Sequence, residues 1–208
     1  NNWKQYFKPV KIGEKLVIKP SWEEYENDGS RIILEIDPAS SFGTGQHHTT
    51  RLCLELLEKS LNSGDRILDM GCGSGILSIG AMLLGAESAV AVDIEQNAAE
   101  TAMENAVKNN ISPEKYETFY GNILTDEKLA DRIDAKYDVI AANIVADVLI
   151  AMKDHFVRYI KKGGILIVSG IIEERMHEVI GALEGVGFSN PEINVKEGWA
   201  AVKLAAPL

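Results

Sequence analysis

Between Arg66 and Ile94 the chain reads RILDMGCGSGILSIGAMLLGAESAVAVDI, and no other stretch restricts the fold as much. Ile67 and Leu68 are an apolar strand end, followed by Asp69. Three glycines then fall at alternate positions, Gly71, Gly73 and Gly75. From Ile76 the apolar period changes to that of a helix, with Ile76, Leu77, Ile79, Leu83 and Leu84 on one stripe. Gly85 is placed to stop that helix. A second apolar run, Ala89-Val90-Ala91-Val92, ends at Asp93. The order is strand, glycine turn, helix, strand, acid, which is one nucleotide-binding βαβ unit. Glycines let the backbone bend sharply and let a ligand approach without meeting a Cβ. The helix behind them points free N–H groups at the ligand. Asp93 stands roughly 20 residues beyond the turn, where an acid accepts hydrogen bonds from both ribose hydroxyls.

Spacing then chooses between ligands. Dinucleotide enzymes use G-x-G-x-x-G/A, whose third glycine lets helix and strand pack closely. Here the run is D-x-G-x-G-x-G and the residue after Gly75 is Ile76. That run resembles the first motif of the class I S-adenosylmethionine (SAM) methyltransferases. In that class the turn faces the methionine and ribose parts of the cofactor.

Composition bounds the rest. A chain of 208 residues suits one full-size domain with a small appendage. No apolar run reaches the 18 residues of a membrane span, and we expect no membrane association. The opening NNWKQYFKPV has no basic region followed by an apolar one, so it does not read as a signal peptide. The two cysteines, Cys53 and Cys72, fall in a predicted helix and in the glycine turn. They read as a reduced, unbridged pair, which suits the cytoplasm. Net charge is −10, which disfavours a phosphate backbone as partner and favours a basic protein. The chain begins without Met and with Trp3, Tyr6 and Phe7, large apolar residues for a free terminus; we expect that something precedes Asn1.

Along the chain, residues 1–40 read as a linker and short β-rich lead-in segment, and residues 41–208 as the catalytic domain. Leu16–Lys19 and Ile32–Ile36 are the predicted strands of the lead-in. Residues 37–50, DPASSFGTGQHHTT, read as a loop feeding a helix from Thr49 to Ser60, with Thr49 and Thr50 as candidate N-caps. Further helices are expected over Gln96–Asn109, Lys128–Ile133, Val145–Ile160 and Glu173–Leu183, the third stopped by Lys161-Lys162-Gly163-Gly164. Strands are expected at Thr118–Tyr120, Tyr137–Ala142 and Ile165–Ser169, then an antiparallel pair at Phe188–Lys196 and Ala200–Ala205. Alternation of this kind predicts a Rossmann-like, doubly wound, mostly parallel seven-stranded sheet with an antiparallel C-terminal strand.

With these pieces placed, the phrases WKQYFKPVKIGEKLVIKPSW, FGTGQHHTTRLCLELLE, LDMGCGSGILSIGA, AVDIEQNAAETAMENA, ANIVADVLI and KKGGILIVSGI resemble the PrmA family nearly end to end. These are methyltransferases of the large-subunit ribosomal protein L11. FGTGQHHTT and NIVAD are its most specific phrases. Ala39-Ser40-Ser41 departs from the glycine and larger residues usual before Phe42. The resemblance implies SAM as cofactor, with S-adenosylhomocysteine as product, and ribosomal protein L11 as substrate. It also implies methylation of lysine side chains and of the N-terminal α-amine. Full-length family members carry an N-terminal domain that grips the ribosomal protein; this chain is expected to lack it. We further expect a cytoplasmic monomer without nucleic-acid binding.

For cofactor contacts the resemblance gives Thr50, Gly71, Asp93 and Asn143. Gly73 joins them from the turn, and Phe42 and Thr44 from a loop able to fold over the cofactor. Asn143 is also the expected catalytic residue. With the backbone after it, it resembles in position the Asn/Asp-Pro-Pro corner of amino methyltransferases, where a side-chain carbonyl can accept an N–H bond and aim the amine lone pair. Plainer roles stand beside these: Asp93 as a solvated strand-end acid, Thr50 as a helix cap, Asn143 as a turn former. His47 and His48 lack the Cys/His/Asp companions of a metal site, and none is expected. Cys72 lies near a helix N-terminus but reads as a small apolar filler. Other functions compatible with the residues are a methyltransferase of RNA or of a small amine, an NAD-dependent dehydrogenase, and a binding module without turnover.

Overall fold

A computed structural model describes residues 8–37 and 46–208, without the side chains of Gln46 and His47. Phe42 and Thr44 therefore lie outside the described residues. Ten strands, seven α-helices and a 3-10 turn at Glu173–Arg175 are assigned among the described residues. In chain order they are β1 Val10–Ile12, β2 Leu16–Lys19, β3 Ile32–Glu35, α1 Gln46–Ser60, β4 Arg66–Met70, α2 Ile76–Leu83, β5 Ser88–Asp93, α3 Gln96–Lys108 and β6 Tyr116–Tyr120. There follow α4 Glu127–Arg132, β7 Tyr137–Asn143, α5 Ala146–Ala151, α6 Lys153–Tyr159, β8 Ile160–Ile172, α7 Met176–Glu184, β9 Ser189–Lys196 and β10 Trp199–Ala205.

The seven-stranded sheet runs β6-β5-β4-β7-β8-β10-β9. All neighbours are parallel except β10, which is antiparallel to both β8 and β9. The chain moves outward from β4 through β5 to β6, then returns to lay β7 on the other side of β4. That reversal opens the crevice between β4 and β7 in which open α/β sheets bind ligands. β1, β2 and β3 form a separate three-stranded sheet with one antiparallel and one parallel pairing.

Central strands are apolar on both faces because helices cover both. Leu68, Met70, Ile140, Phe156, Tyr159, Leu166, Val179 and Leu183 belong to the cluster under α4–α7. Ile67, Val139, Ala141 and Ile167 face the opposite cluster, with Leu54, Leu57, Ile79 and Ala102 of α1–α3. The lead-in strands share this second cluster through Ile12, Leu16, Leu34 and Ile36. Two polar ties hold them there. Glu58 of α1 accepts from the amides of Glu14 and Lys15, and Asn109 exchanges two 2.9 Å bonds with the backbone of Glu35.

Three local expectations are corrected. Helix α1 starts at Gln46, so Thr49 and Thr50 lie inside it rather than at an N-cap position. The helix expected over Val145–Ile160 is two helices interrupted at Met152. The second of them ends at Tyr159, next to the expected stop, but Lys161-Lys162-Gly163-Gly164 is no connecting turn: the four residues bulge within β8, whose pairing with β7 jumps from Tyr137↔Ile160 to Val139↔Ile165. Gly163 supplies the positive φ of 80° that the bulge requires.

Candidate functional site

The glycine turn sits where β4 ends. Gly71, Gly73 and Gly75 all take positive φ, at 73°, 52° and 85°, a region costly to any side-chain-bearing residue. Their surroundings differ. A Cβ on Gly71 would collide with a methyl of Ile144 in the loop after β7, and one on Gly75 would lie 2.7 Å from the Tyr116 hydroxyl. One on Gly73 would meet nothing within 4 Å, so the space before the turn at Gly73 is open. Gly71 and Gly75 are packing glycines; Gly73 faces the crevice.

Asp93 ends β5 beside that opening. Its Oδ2 accepts from the Gly73 amide at 2.9 Å and its Oδ1 from the Glu95 amide at 3.0 Å. Both oxygens are thus aimed by backbone, which leaves each a second lone pair. Ile94 follows with 65% of its surface exposed, an apolar plate at the strand end. Val145, 63% exposed, is the matching residue beyond β7.

Asn143 closes β7, paired with Ser169 of β8. Its Nδ2 donates to Thr50 Oγ1 at 3.4 Å, bringing together two candidates 93 positions apart in sequence. Thr50 is buried on α1. Gly170 gives the Asn143 amide room, for a Cβ there would stand 2.7 Å from Oδ1. Gly71, Gly73, Asp93, Asn143 and Thr50 therefore surround one crevice at the carboxyl ends of β4, β5 and β7. His48 stands apart, its Nε2 3.4 Å from the Glu197 carboxylate on the β9–β10 turn.

Beneath the turn lies a group that the sequence reading passed over. Asp69 is 1% exposed, with Oδ2 accepting from the Ser78 hydroxyl at 2.7 Å and the Ser78 amide at 3.1 Å. The Ser78 hydroxyl also lies 2.8 Å from that of Tyr116. Burial pushes the Asp69 carboxyl up to about 6; the two Ser78 bonds pull it down and Asp93 adds to the rise. Cys72 is buried and free, its thiol held well above the usual range, chiefly by burial. It fills space, as a small apolar residue does. The signal for Asp69 was present, since it is the first letter of D-x-G-x-G-x-G; Ile94, Ser78 and Tyr116 carried none.

The sheet order and a glycine turn facing an acid across the crevice define the Rossmann-like fold of the class I SAM-dependent methyltransferases. A family profile described as ribosomal protein L11 methyltransferase (PrmA) matches residues 1–206, and the chain belongs to that family. Ribosomal protein L11 methyltransferases of Clostridium perfringens and Thermoanaerobacter pseudethanolicus are each 44% identical to it over 202 residues, 97% of the chain. The chain spans 62% of the first of these and 63% of the second, about three fifths of the length of the curated relatives it matches. The crystal structure of a ribosomal protein L11 methylase from Lactobacillus delbrueckii subsp. bulgaricus superposes with a TM-score of 0.86 at 28% identity. That likeness covers 98% of this chain and 100% of that one.

Proposed function

We propose that this protein binds SAM and methylates amines of ribosomal protein L11, both lysine side chains and the N-terminal α-amine. The observation that carries the substrate is the likeness to L11 methyltransferases along 97% of the chain. The residues fit the cofactor. Gly73 leaves the approach open, Asp93 offers oriented carboxylate oxygens to a ribose diol, and Ile94 offers an apolar surface to a base. Bound SAM supplies a methyl already activated by its sulfonium. The chain's own task is then orientation and proton control.

Asn143 carries the orienting role. With its Nδ2 donating to Thr50, its Oδ1 is turned to accept an N–H from an incoming amine and aim the lone pair. Exposed Val145 and Ile172 flank that position at the ends of β7 and β8 and reduce the water around the amine. Drier surroundings favour the neutral, nucleophilic form of a lysine, whose ordinary pKa is about 10.4. The same reading takes the protein for a cytoplasmic monomer that does not bind nucleic acid. It is supported by a net charge of −10 and by two buried, free cysteines. No described helix is long and apolar enough to cross a membrane.

The test is incubation with methyl-labelled SAM and purified ribosomal protein L11, with methyls counted by intact mass and placed by peptide mapping. Label on lysines and the α-amine is expected, and lost in Asn143→Ala. Cofactor binding without label on L11 would contradict the substrate assignment.

A further inference from the structure

Asp69 is the one carboxylate among the buried polar residues described, the others being Thr49, Thr50, Ser74, Ser78, Asn105 and Ser169. Its Oδ2 is satisfied by Ser78, but Oδ1 is buried without a hydrogen-bond partner among the described residues. The titratable groups around it are Asp93 at the end of β5, Cys72 in the turn, Cys53 on α1 and Tyr116 on β6. None is a cation. A buried carboxylate with one bare oxygen and no counter-charge is costly unless something supplies the charge. The low-dielectric interior that carries the charge of Asp93 to Asp69 carries equally that of a ligand bound at the turn.

We propose that Asp69 is a positioning residue whose charge beneath the glycine turn makes the site prefer the cationic sulfonium cofactor over its neutral thioether product. The inference rests on the SAM reading above. SAM and S-adenosylhomocysteine share the ammonium and carboxylate of their methionine end. The sulfonium is the one charge they do not share, so a buried anion discriminates them without contact to the reacting methyl.

The sign follows from linkage. A bound cation favours the ionised carboxylate, so binding expels the Asp69 proton and SAM affinity falls with falling pH. Burial holds the Asp69 carboxyl near 6, while it holds Cys53 near 12 and raises Cys72 and Tyr116 well above their ordinary values. Those three stay protonated throughout the range of interest.

Calorimetric titration of the whole chain with SAM and with S-adenosylhomocysteine, from pH 5 to pH 8, tests this. Two buffers of different ionisation enthalpy count the released protons. SAM affinity is expected to fall by about tenfold between pH 7.5 and pH 5, and product affinity by less than about threefold. Asp69→Asn flattens the SAM profile and narrows the gap between ligands. Ser78→Ala removes the hydroxyl bond, one of the two that favour the charged form, and keeps the amide bond, so it moves the SAM midpoint to higher pH; this second variant decides the matter if Asp69→Asn does not fold. Parallel profiles for the two ligands, an unchanged profile in Asp69→Asn, or an unmoved midpoint in Ser78→Ala would overturn the proposal. Heat from neither ligand at any pH, with the protein folded, would remove the cofactor assignment itself and this inference with it.

Discussion

The cluster under α4–α7 and the face under α1–α3 bury their polar atoms differently. In the first, the two buried tyrosines direct their hydroxyls to backbone carbonyls, Tyr137 to Ile133 and Tyr159 to Ala130. In the second, the Tyr116 hydroxyl meets Ser78, Ser78 meets Asp69, and Asn143 meets Thr50. The buried polar side chains sit on this second side, near the carboxyl ends of the strands. Packing alone explains the first face. The second keeps groups that an apolar replacement would make more stable, and they surround the crevice. Proteins retain such groups where a ligand needs them.

This contrast is broken or sharpened by substitutions on each face. The largest effect on stability is expected from Phe156→Ala, a fully buried ring on α6. It should cost about 3–5 kcal/mol of unfolding free energy. Cofactor affinity of the folded fraction should stay within about twofold, read by denaturant titration and calorimetry. A large loss of affinity would mean that the two faces are not separable.

Next comes the pH dependence of stability through Asp69. Its folded pKa lies above the unfolded one, so between about pH 4 and pH 6 the folded protein holds a proton the unfolded chain has released. Stability therefore falls as pH rises through that window, by up to about 3 kcal/mol. Asp69→Asn should remove that slope, measured by urea unfolding at several pH values. No equivalent change is expected from a variant such as Leu183→Met on the opposite face.

Asp93→Ala should weaken SAM binding by about 1.5–3 kcal/mol, the usual worth of a hydrogen bond to a charged group. Asp93→Asn should cost less, because one acceptor survives; equal affinity in all three proteins would make Asp93 a plain strand-end acid. The smallest effect belongs to Asp126, whose Oδ1 accepts from the Leu129 amide and caps α4. Asp126→Ala should cost about 1 kcal/mol of stability and leave cofactor affinity unchanged.

How much of this was legible follows the same division. The βαβ unit was readable because its glycines, helix stripe and distal acid are all local in sequence, and Gly71, Gly73 and Asp93 fall where that pattern puts them. Asn143 was readable as a strand end. Its bond to Thr50 was not, since it joins residues 93 positions apart. The cap alternative for Thr50 fails because Ser, Thr and Gly before a helix look like its start, whereas α1 begins four residues earlier. The break at Met152 has neither proline nor glycine to mark it. Lys161–Gly164 carries the signs of a helix stop, yet a glycine pair also permits a bulge, and only pairing with β7 decides between them. Asp69 is visible as the first letter of D-x-G-x-G-x-G, but its role is not, because burial is invisible in one sequence.

The central claim is that the polar face holds the cofactor while the apolar face only supports it. Amide chemical shifts of the isotope-labelled chain, followed during titration with SAM, test this most directly. Shifts are expected at Gly71, Gly73, Asp93, Glu95 and Asn143, with Phe156, Val179 and Leu183 unmoved. A saturating response centred on α6 and α7, or no response at the glycine turn, would contradict it.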